Sequence, residues 1–322
     1  MIPLEISTKK NLLAFSAGID STALFFILIE NNIPFDIAIV DYGLRDQSKD
    51  EVIYAHQLAL KYNKQIFLKE FTKDSKFSEK LARDFRHNFF EELIDQYNYN
   101  SLITAHQLND KLEWFLMQLS KGAGLVELIG MKEKDDRDNY NLLKPLLDYS
   151  KDELQNYLDK NNYKYFIDST NEDTKYKRNY IRSKFANDFI DEYKDGVKNS
   201  FLALENDLET LNTDIKPKCF EDLSIYDIKN LDDNQLVRII DKELKRRGLI
   251  ISSATREEIL KQQGIIISNK IAISIYDNRL WISKNSSDTM DKQFKEKCRI
   301  NKVPKNIRAY LYSIGFVSFD DI

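Results

Sequence analysis

LLAFSAGIDST (residues 12–22) runs four apolar residues straight into a small polar turn. Leu12 to Phe15 have the character of a short buried strand, and STALFFILIENN (21–32) has the length and apolar content of a buried helix. Where a strand breaks through such a turn into a helix, the helix's first N–H groups lack partners. Together with the helix dipole they make an anion site. The loop residues are Ser16, Ala17, Gly18, Ile19, Asp20 and Ser21. The two serine hydroxyls can add hydrogen bonds, and Gly18 lets a ligand approach the backbone. The Asp20 carboxylate belongs beside a phosphate only with a cation between them, a role that magnesium fits. The same residues also suit a plain tight turn with Asp20 or Ser21 capping the helix, so both readings stay open. The turn lacks the Gly-Lys-Ser/Thr ending of a Walker P-loop and the Gly-x-Gly-x-x-Gly of a dinucleotide fold.

Outward from this turn the pattern repeats. Strand-like DIAIVDYG (36–43), QIFLKEF (65–71) and SLITAH (101–106) alternate with helical DEVIYAHQLALKY (50–62), SEKLARDFRHNFFEELIDQYN (78–98) and LNDKLEWFLMQLSKG (108–122). Four strand–helix alternations predict an α/β fold, a parallel sheet with helices on both faces. Ligands bind outside the carboxyl ends of such strands, which is where Ser16–Ser21, Asp41 and His106 fall. SKDELQNYLDKNN (150–162) opens with a capping box, Ser150 before Glu153. A charged helical stretch then leads to a smaller C-terminal α+β region, with helices near 233–247 and 253–263 and strands at IAISIY and RLWIS. The expected organisation is a catalytic domain at 1–185, a helical linker at 186–214 and a C-terminal domain at 215–322.

With 322 residues, 42% hydrophobic and 31% charged, the chain reads as globular, and no apolar run approaches the roughly 20 residues of a membrane helix. MIPLEISTKK at the start lacks the basic opening and apolar core of a signal peptide, so the expectation is a cytoplasmic protein. The two cysteines, Cys219 and Cys298, have no metal-binding spacing, which argues against a disulfide framework, a zinc site or a cysteine-held iron–sulfur cluster. A net charge of −4 means that any nucleic acid must be held by local basic patches.

SAGIDS resembles the SGGxDS pyrophosphate loop of the N-type ATP pyrophosphatases, the PP-loop superfamily, with Ala17 in place of one glycine. Further segments are similar to those of the tRNA(Ile)-lysidine synthetase family. VDYGLRDQSKDE (40–51) matches its HGLR segment, with Tyr42 for the histidine, and KLARDFRHNFF (80–90) its ARxxRYxxF helix. TAHQLNDKLEWFLMQLSKGAG (104–124) matches HHxDDQxETxxxxLxRGxG; KPLLDYSKDEL (144–154) and DSTNEDTKYKRNYIR (168–182) match RPLL and DxSNxDxxYxRNxxR. Within the third of these segments the family's second histidine, first aspartate, glutamine and threonine are Gln107, Asn109, Lys111 and Trp114.

The resemblance implies ATP as a substrate on Ser16–Ser21 and magnesium at Asp20. Asp110 and Glu113, three apart on one helix face, would seat the ammonium of L-lysine; they could instead be solvated, or pair with Lys111 or Lys121. Arg83, Arg178 and His106 would contact phosphate or take part in catalysis. Arg86, Asn179 and Arg182 would contact isoleucine tRNA with a CAU anticodon, and the C-terminal domain would grip the tRNA. His106 could equally end its strand on a backbone hydrogen bond, and Arg83 and Arg86 could be a solvated helix face. The implied reaction adenylates the C2 carbonyl oxygen of the wobble cytidine and joins lysine at C2, giving lysidine, AMP and diphosphate; a homodimer is expected.

KYKRNYIRSK (175–184) carries five cations interleaved with Tyr176 and Tyr180, a combination that can hold single-stranded RNA. Lys295, Lys297, Arg299, Lys302, Lys305 and Arg308 form a second basic patch, against Glu296 alone, which is either a tRNA contact or an ordinary surface. Two rival readings remain open. A tRNA thiolase would want cysteines near the nucleotide loop, and none precedes Cys219. A degenerate tRNA-binding protein is suggested by Ala17, Gln107 and Asn109, while the retained Asp20, Ser21, Asp110 and Glu113 argue for activity.

Overall fold

The computed structural model describes residues 6, 9–43, 47–71, 78–167, 177–211 and 215–319. Residues 44–46 of the 40–51 segment and residues 168–176, with Tyr176, lie outside the described residues. The chain divides into two compact units, Met1–Leu208 and Glu209–Ile322.

The first unit opens with β1 (Asn11–Phe15), α1 (Ile19–Glu30), β2 (Phe35–Asp41), α2 (Gln47–Lys61), β3 (Ile66–Glu70), α3 (Glu79–Tyr97), β4 (Ser101–Ile103) and α4 (Leu108–Leu119). It continues through α5 (Leu125–Leu128), β5 (Lys134–Asp136), β6 (Asn141–Leu143), α6 (Lys151–Lys160), α7 (Lys177–Ile181), a π-helical turn (Arg182–Ala186) and α8 (Asn187–Leu211). The strands form one sheet in the order β3-β2-β1-β4-β6-β5. All neighbours are parallel except the β5–β6 pair at the edge. The expected parallel sheet is present, with helix α4 ending three residues before Gly122, which takes a φ of +70° in the turn beyond.

Alternate residues of each strand serve opposite faces. Leu13, Phe15, Ile37, Ile39 and Ile103 are buried with the apolar faces of α1, α2 and α6. Leu12, Ala38, Leu102 and Leu142 pack on the other face against Phe89, Phe90, Leu93 and Ile94 of α3. Each fully buried side chain of this size contributes roughly 1.5–3 kcal/mol, so both faces are strongly driven to be covered. The chain builds β1, β2 and β3 outward to one side, then crosses back to place β4 on the other side of β1. The crevice at the carboxyl ends of β1 and β4 is therefore the switch point of the sheet, where such folds take their ligands.

Residues 186–214, expected as a helical linker, contain α8, whose apolar face is buried. Ile190, Val197, Phe201 and Leu208 pack with Leu108, Leu112 and Ile129. Lys111 of α4, itself buried, reaches Glu205 at 2.7 Å and lies over the Phe201 ring at 4.8 Å. Most of α8 thus shares the core of the first unit, because its apolar stripe needs a partner that α4 supplies.

The second unit holds β7 (Lys218–Phe220), β8 (Leu223–Asp227), α9 (Asp233–Arg246), α10 (Ser253–Gln262), β9 (Gly264–Ile267), β10 (Ile271–Tyr276), β11 (Arg279–Lys284), α11 (Lys292–Ile300) and α12 (Lys305–Ser313). Its antiparallel sheet has the order β7-β8-β11-β10-β9. Alternation again serves two cores: Leu280, Ile282, Ile271 and Ile273 pack with α9 and α10, while Trp281, Ala272, Leu223 and Ile225 pack with α11 and α12. The α+β expectation is met, with three strands and two helices beyond those read from the sequence.

Replacing Phe201 by Ala, at 4% exposure and edge-on to Phe115 at 5.6 Å, removes the ring on which α8 rests. The expected loss is about 3–5 kcal/mol for the first unit, read as a lower urea midpoint at unchanged slope. A loss under about 1 kcal/mol would mean that α8 is not part of this core.

Candidate functional site

The turn after β1 has the geometry that its composition suggests. Thr22 N donates to Gly18 O at 2.9 Å, the first bond of α1, so the N–H groups of Ile19, Asp20 and Ser21 precede any helical acceptor. Gly18 is the N-cap and offers no side chain. A Cβ there would meet only ordinary contacts, Ser16 Oγ at 3.6 Å and Phe166 O at 4.0 Å, so glycine is not required by packing and leaves room above the turn. Ser21 Oγ braces the loop from within, accepting from Ser16 N at 3.2 Å and lying 3.1 Å from Ser16 Oγ. Ala17 sits at a φ of 59°, the left-handed region, where a Cβ costs roughly 1 kcal/mol. Its methyl group is fully buried in the core, which offsets that cost and accounts for alanine where the family pattern has glycine. Ile19 is likewise buried, so it lends the loop its backbone rather than its side chain.

Asp20 is half-buried, yet its Oδ1 is enclosed and has no hydrogen-bond partner among the described residues. Burial, reinforced by Asp110, pushes its pKa up to about 7 against the pull of Lys151 and Arg182. An orphaned carboxylate oxygen beside a phosphate-type turn is what a magnesium ion would satisfy, so this residue fits the expected metal.

Across the crevice, α4 presents the acid pair. Arg178 Nε donates to Glu113 Oε2 at 2.8 Å and its Nη2 to Asp110 Oδ1 at 2.9 Å. Arg182 donates its Nη2 to the same Asp110 oxygen at 3.1 Å and its Nε to Glu113 Oε1. Glu113 is 1% exposed and Asp110 10%, whereas Arg178 is 38% exposed, so the guanidiniums lie between the acids and solvent. Burial alone would raise the Asp110 carboxyl. His106, then the Arg178 and Arg182 guanidiniums, and the Gln107 N–H reverse that and hold it below the ordinary range. The acids are therefore neither solvated nor paired with Lys111, which binds Glu205 instead.

His106 follows β4, with Nδ1 3.0 Å from Thr104 Oγ1. Burial pushes its pKa down to about 4, with Arg178, Lys144 and Arg86 acting in the same sense. The ring is thus neutral at pH 7 rather than poised near neutrality, because desolvation outweighs the nearby Asp110 carboxylate. Tyr42 takes a hydrogen bond from Arg86, tying that part of α3 to the end of β2. Arg83 is exposed one turn earlier, Asn179 is half-buried in α7, and Asp41 accepts from Gly43 N at 2.8 Å.

Each departure in α4 has a local occupation. Gln107 caps the helix in a reciprocal box with Asp110, its Oε1 2.5 Å from Asn109 N. Asn109 donates to Asn187 Oδ1 at 3.0 Å and accepts from Lys151 N at 3.2 Å, so it latches α8 and α6 together. Trp114 Nε1 donates to Glu127 O at 2.8 Å. Sequence reasoning passed over two cations. Lys144, at the end of β6, is buried and donates to Lys132 O at 3.2 Å, and Lys151 opens α6 facing Asp20. The KPLL segment and the Ser150 cap were the signals that could have found them. The second basic patch is partly engaged: Arg299 pairs with Glu296 at 2.6 Å, Lys302 with Asp277 at 3.0 Å, and Arg308 donates to Val303 O at 2.9 Å. Cys219 and Cys298 both belong to the second unit, and Cys298 is buried in its core.

Between about pH 4 and 7 the folded protein keeps a proton on Asp20 that the unfolded chain has lost, so this residue lowers stability as pH rises through that window. Asp20→Asn is expected to stabilise the chain on the order of 1–3 kcal/mol at pH 8 and to make no difference near pH 4. Urea denaturation across a pH series measures it, and a pH-independent difference would contradict the burial argument.

A family model for the PP-loop domain matches residues 3–189. A curated tRNA(Ile)-lysidine synthase of Campylobacter jejuni is 43% identical over 94% of this chain and 92% of its own length. Those of Helicobacter hepaticus and Helicobacter pylori are each 37% identical, covering 96% and 94% of this chain and 83% and 90% of theirs. Among solved structures, a U34-tRNA thiolase from Methanococcus maripaludis shares the fold, with a TM-score of 0.52 at 17% identity over 65% of this chain and 75% of that one. Matches of this identity over nearly the full length leave one conclusion: the chain belongs to the tRNA(Ile)-lysidine synthase family of PP-loop enzymes, ligases that form a carbon–nitrogen bond.

Proposed function

We propose that the protein joins L-lysine to C2 of the wobble cytidine in the CAU anticodon of isoleucine tRNA, acting in the cytoplasm. The observation that carries this reading is the meeting, at one switch point, of a phosphate-type turn with an acid pair on α4. ATP lies with its phosphates on Ser16–Ser21, where the unpaired N–H groups of α1 face it. Magnesium, held by Asp20, would neutralise charge on those phosphates. The cytidine O2 attacks the α-phosphorus and diphosphate leaves, which makes a poor leaving group into a good one. The amine of lysine then attacks C2, AMP departs and the amine proton is released. Neutral His106 with Arg83 and Arg178 contacts phosphate; Arg86, Asn179 and Arg182 contact the RNA, and the second unit grips the tRNA body. The enzyme's share is positioning and charge neutralisation.

The arginine contacts bear on how lysine is seated. An ammonium reaching Asp110 and Glu113 replaces a guanidinium, cation for cation, so the buried acids never lose their counter-charge. Arg178, the more exposed of the two, is the one to leave, and its fork is then available to phosphate. Two chains would associate as a homodimer under this reading.

Purified protein with ATP, magnesium, labelled lysine and CAU-anticodon isoleucine tRNA is expected to label that RNA and release AMP and diphosphate, leaving methionine tRNA unlabelled. ATP cleavage without label transfer would exclude lysine as the nucleophile. Asp110→Asn is expected to raise the KM for lysine at least tenfold while ATP binding stays within about twofold; an unchanged KM would remove Asp110 from the lysine seat.

A further inference from the structure

Four large aromatic side chains stand exposed along one run of chain: Tyr180, Phe185, Phe189 and Tyr193, at 46%, 52%, 49% and 50%. The step from Tyr180 to Phe185 crosses the π-helical turn Arg182–Ala186. Five residues of ordinary α-helix would leave Phe185 roughly 140° around the axis from Tyr180. The wider turn instead brings the rings together, with centroids 6.1 Å apart and planes at 71°. Among the described residues neither ring has another ring partner. An extra residue inserted into a helix, at the cost of poorer hydrogen bonding, is a frequent mark of a functional site. Here its visible effect is to build a two-ring corner on the surface.

Charge divides the four rings into two unlike pairs. Tyr180 and Phe185 lie beside Lys177 and Lys184, on a segment whose Arg178 and Arg182 are paired with Asp110 and Glu113. Phe189 and Tyr193 lie among Asp188, Asp191, Glu192 and Asp195, and the Tyr193 hydroxyl donates to Glu192 at 2.7 Å. A phosphate backbone is drawn to the first pair and repelled from the second. Aromatic faces beside cations are how unpaired RNA bases are held, since every base has a π-face to stack. The segment is also fixed to the catalytic crevice: Arg178 and Arg182 reach Asp110 and Glu113, and Lys177 donates to Ser120 at 3.0 Å.

We propose that Tyr180 and Phe185 form a stacking platform for the unpaired bases that flank the reacting base of the RNA loop. The inference rests on the ligase reading for the identity of that loop. It assigns a role to Phe185, which otherwise has none.

The test uses the full chain and an anticodon stem-loop of isoleucine tRNA carrying 2-aminopurine in turn at the base on either side of the wobble position. Stacking on an aromatic ring quenches that fluorophore. The wild-type protein and Tyr180→Phe are expected to quench it at one of the two positions. Tyr180→Ala and Phe185→Ala are expected to lose most of the quenching and to weaken loop binding about tenfold or more, with unchanged thermal unfolding. Phe189→Ala is expected to behave as wild type. Equal quenching and binding by the Tyr180→Ala/Phe185→Ala double variant would overturn the platform, as would a loss confined to Phe189→Ala. Lysine transfer by the wild-type protein, measured alongside, decides the ligase reading separately, and the fluorescence decides stacking whichever way that falls.

Discussion

The four contacts between Asp110, Glu113, Arg178 and Arg182 are the constraint on which the site depends. Two carboxylates on adjacent turns of a buried helix would be prohibitive alone, because each loses its hydration and repels the other. The paired guanidiniums supply both the counter-charge and the hydrogen bonds. In doing so they pin α7 and the π-helical turn against α4, although α7 has only five residues and could not persist by itself. The electrostatics of the neighbours follow from the same cluster. Asp110 raises the Asp20 carboxyl, Arg182 lowers it, and Arg178 helps keep His106 neutral.

The departures from the family pattern are best understood as a linked set. Lys111 reaches across to Glu205 and covers Phe201, Asn109 joins α8 to α6, and Trp114 fastens the chain before Gly130. An aspartate at 109 could accept from Lys151 N but could not donate to Asn187 Oδ1, so the amide suits a position with one donor and one acceptor to satisfy. These residues tie α4 to the helices around it while the acids that face the crevice are kept.

Much of this was legible in the sequence for a simple reason. Strand–helix alternation, the small-residue turn after Leu12–Phe15 and the i, i+3 acids are local patterns, and local patterns survive in one dimension. What escaped is non-local. Nothing in the sequence shows that Arg178 and Arg182, more than sixty residues downstream, are the partners of Glu113 and Asp110. The neutrality of His106 follows from burial, which its sequence neighbours do not reveal. β7 and β8 were missed because short strands with interrupted apolar runs resemble loops, and β9 because three isoleucines are too short a run to separate strand from helix. The π-helical turn was invisible for a related reason: a single extra residue changes which side chains meet without altering composition.

The cluster also explains how an acidic chain offers a polyanion a favourable site. Arg178 and Arg182 are neutralised by Asp110 and Glu113, so they add little to the field at the turn after β1 while they remain paired. Outside that cluster, Arg86 and Lys144 act on His106, and Lys151 acts on Asp20. Two of these three are held by the fold itself, Lys144 buried after β6 and Lys151 at the capped start of α6, so their positions cost little further ordering when a phosphate arrives. A low-dielectric wall then makes each of them count for more than a surface lysine would. A net charge of −4 spread over the surface is screened within about one Debye length and does not reach into that crevice. A polyphosphate at this turn would meet those placed cations and a helix N-terminus rather than the overall charge of the protein.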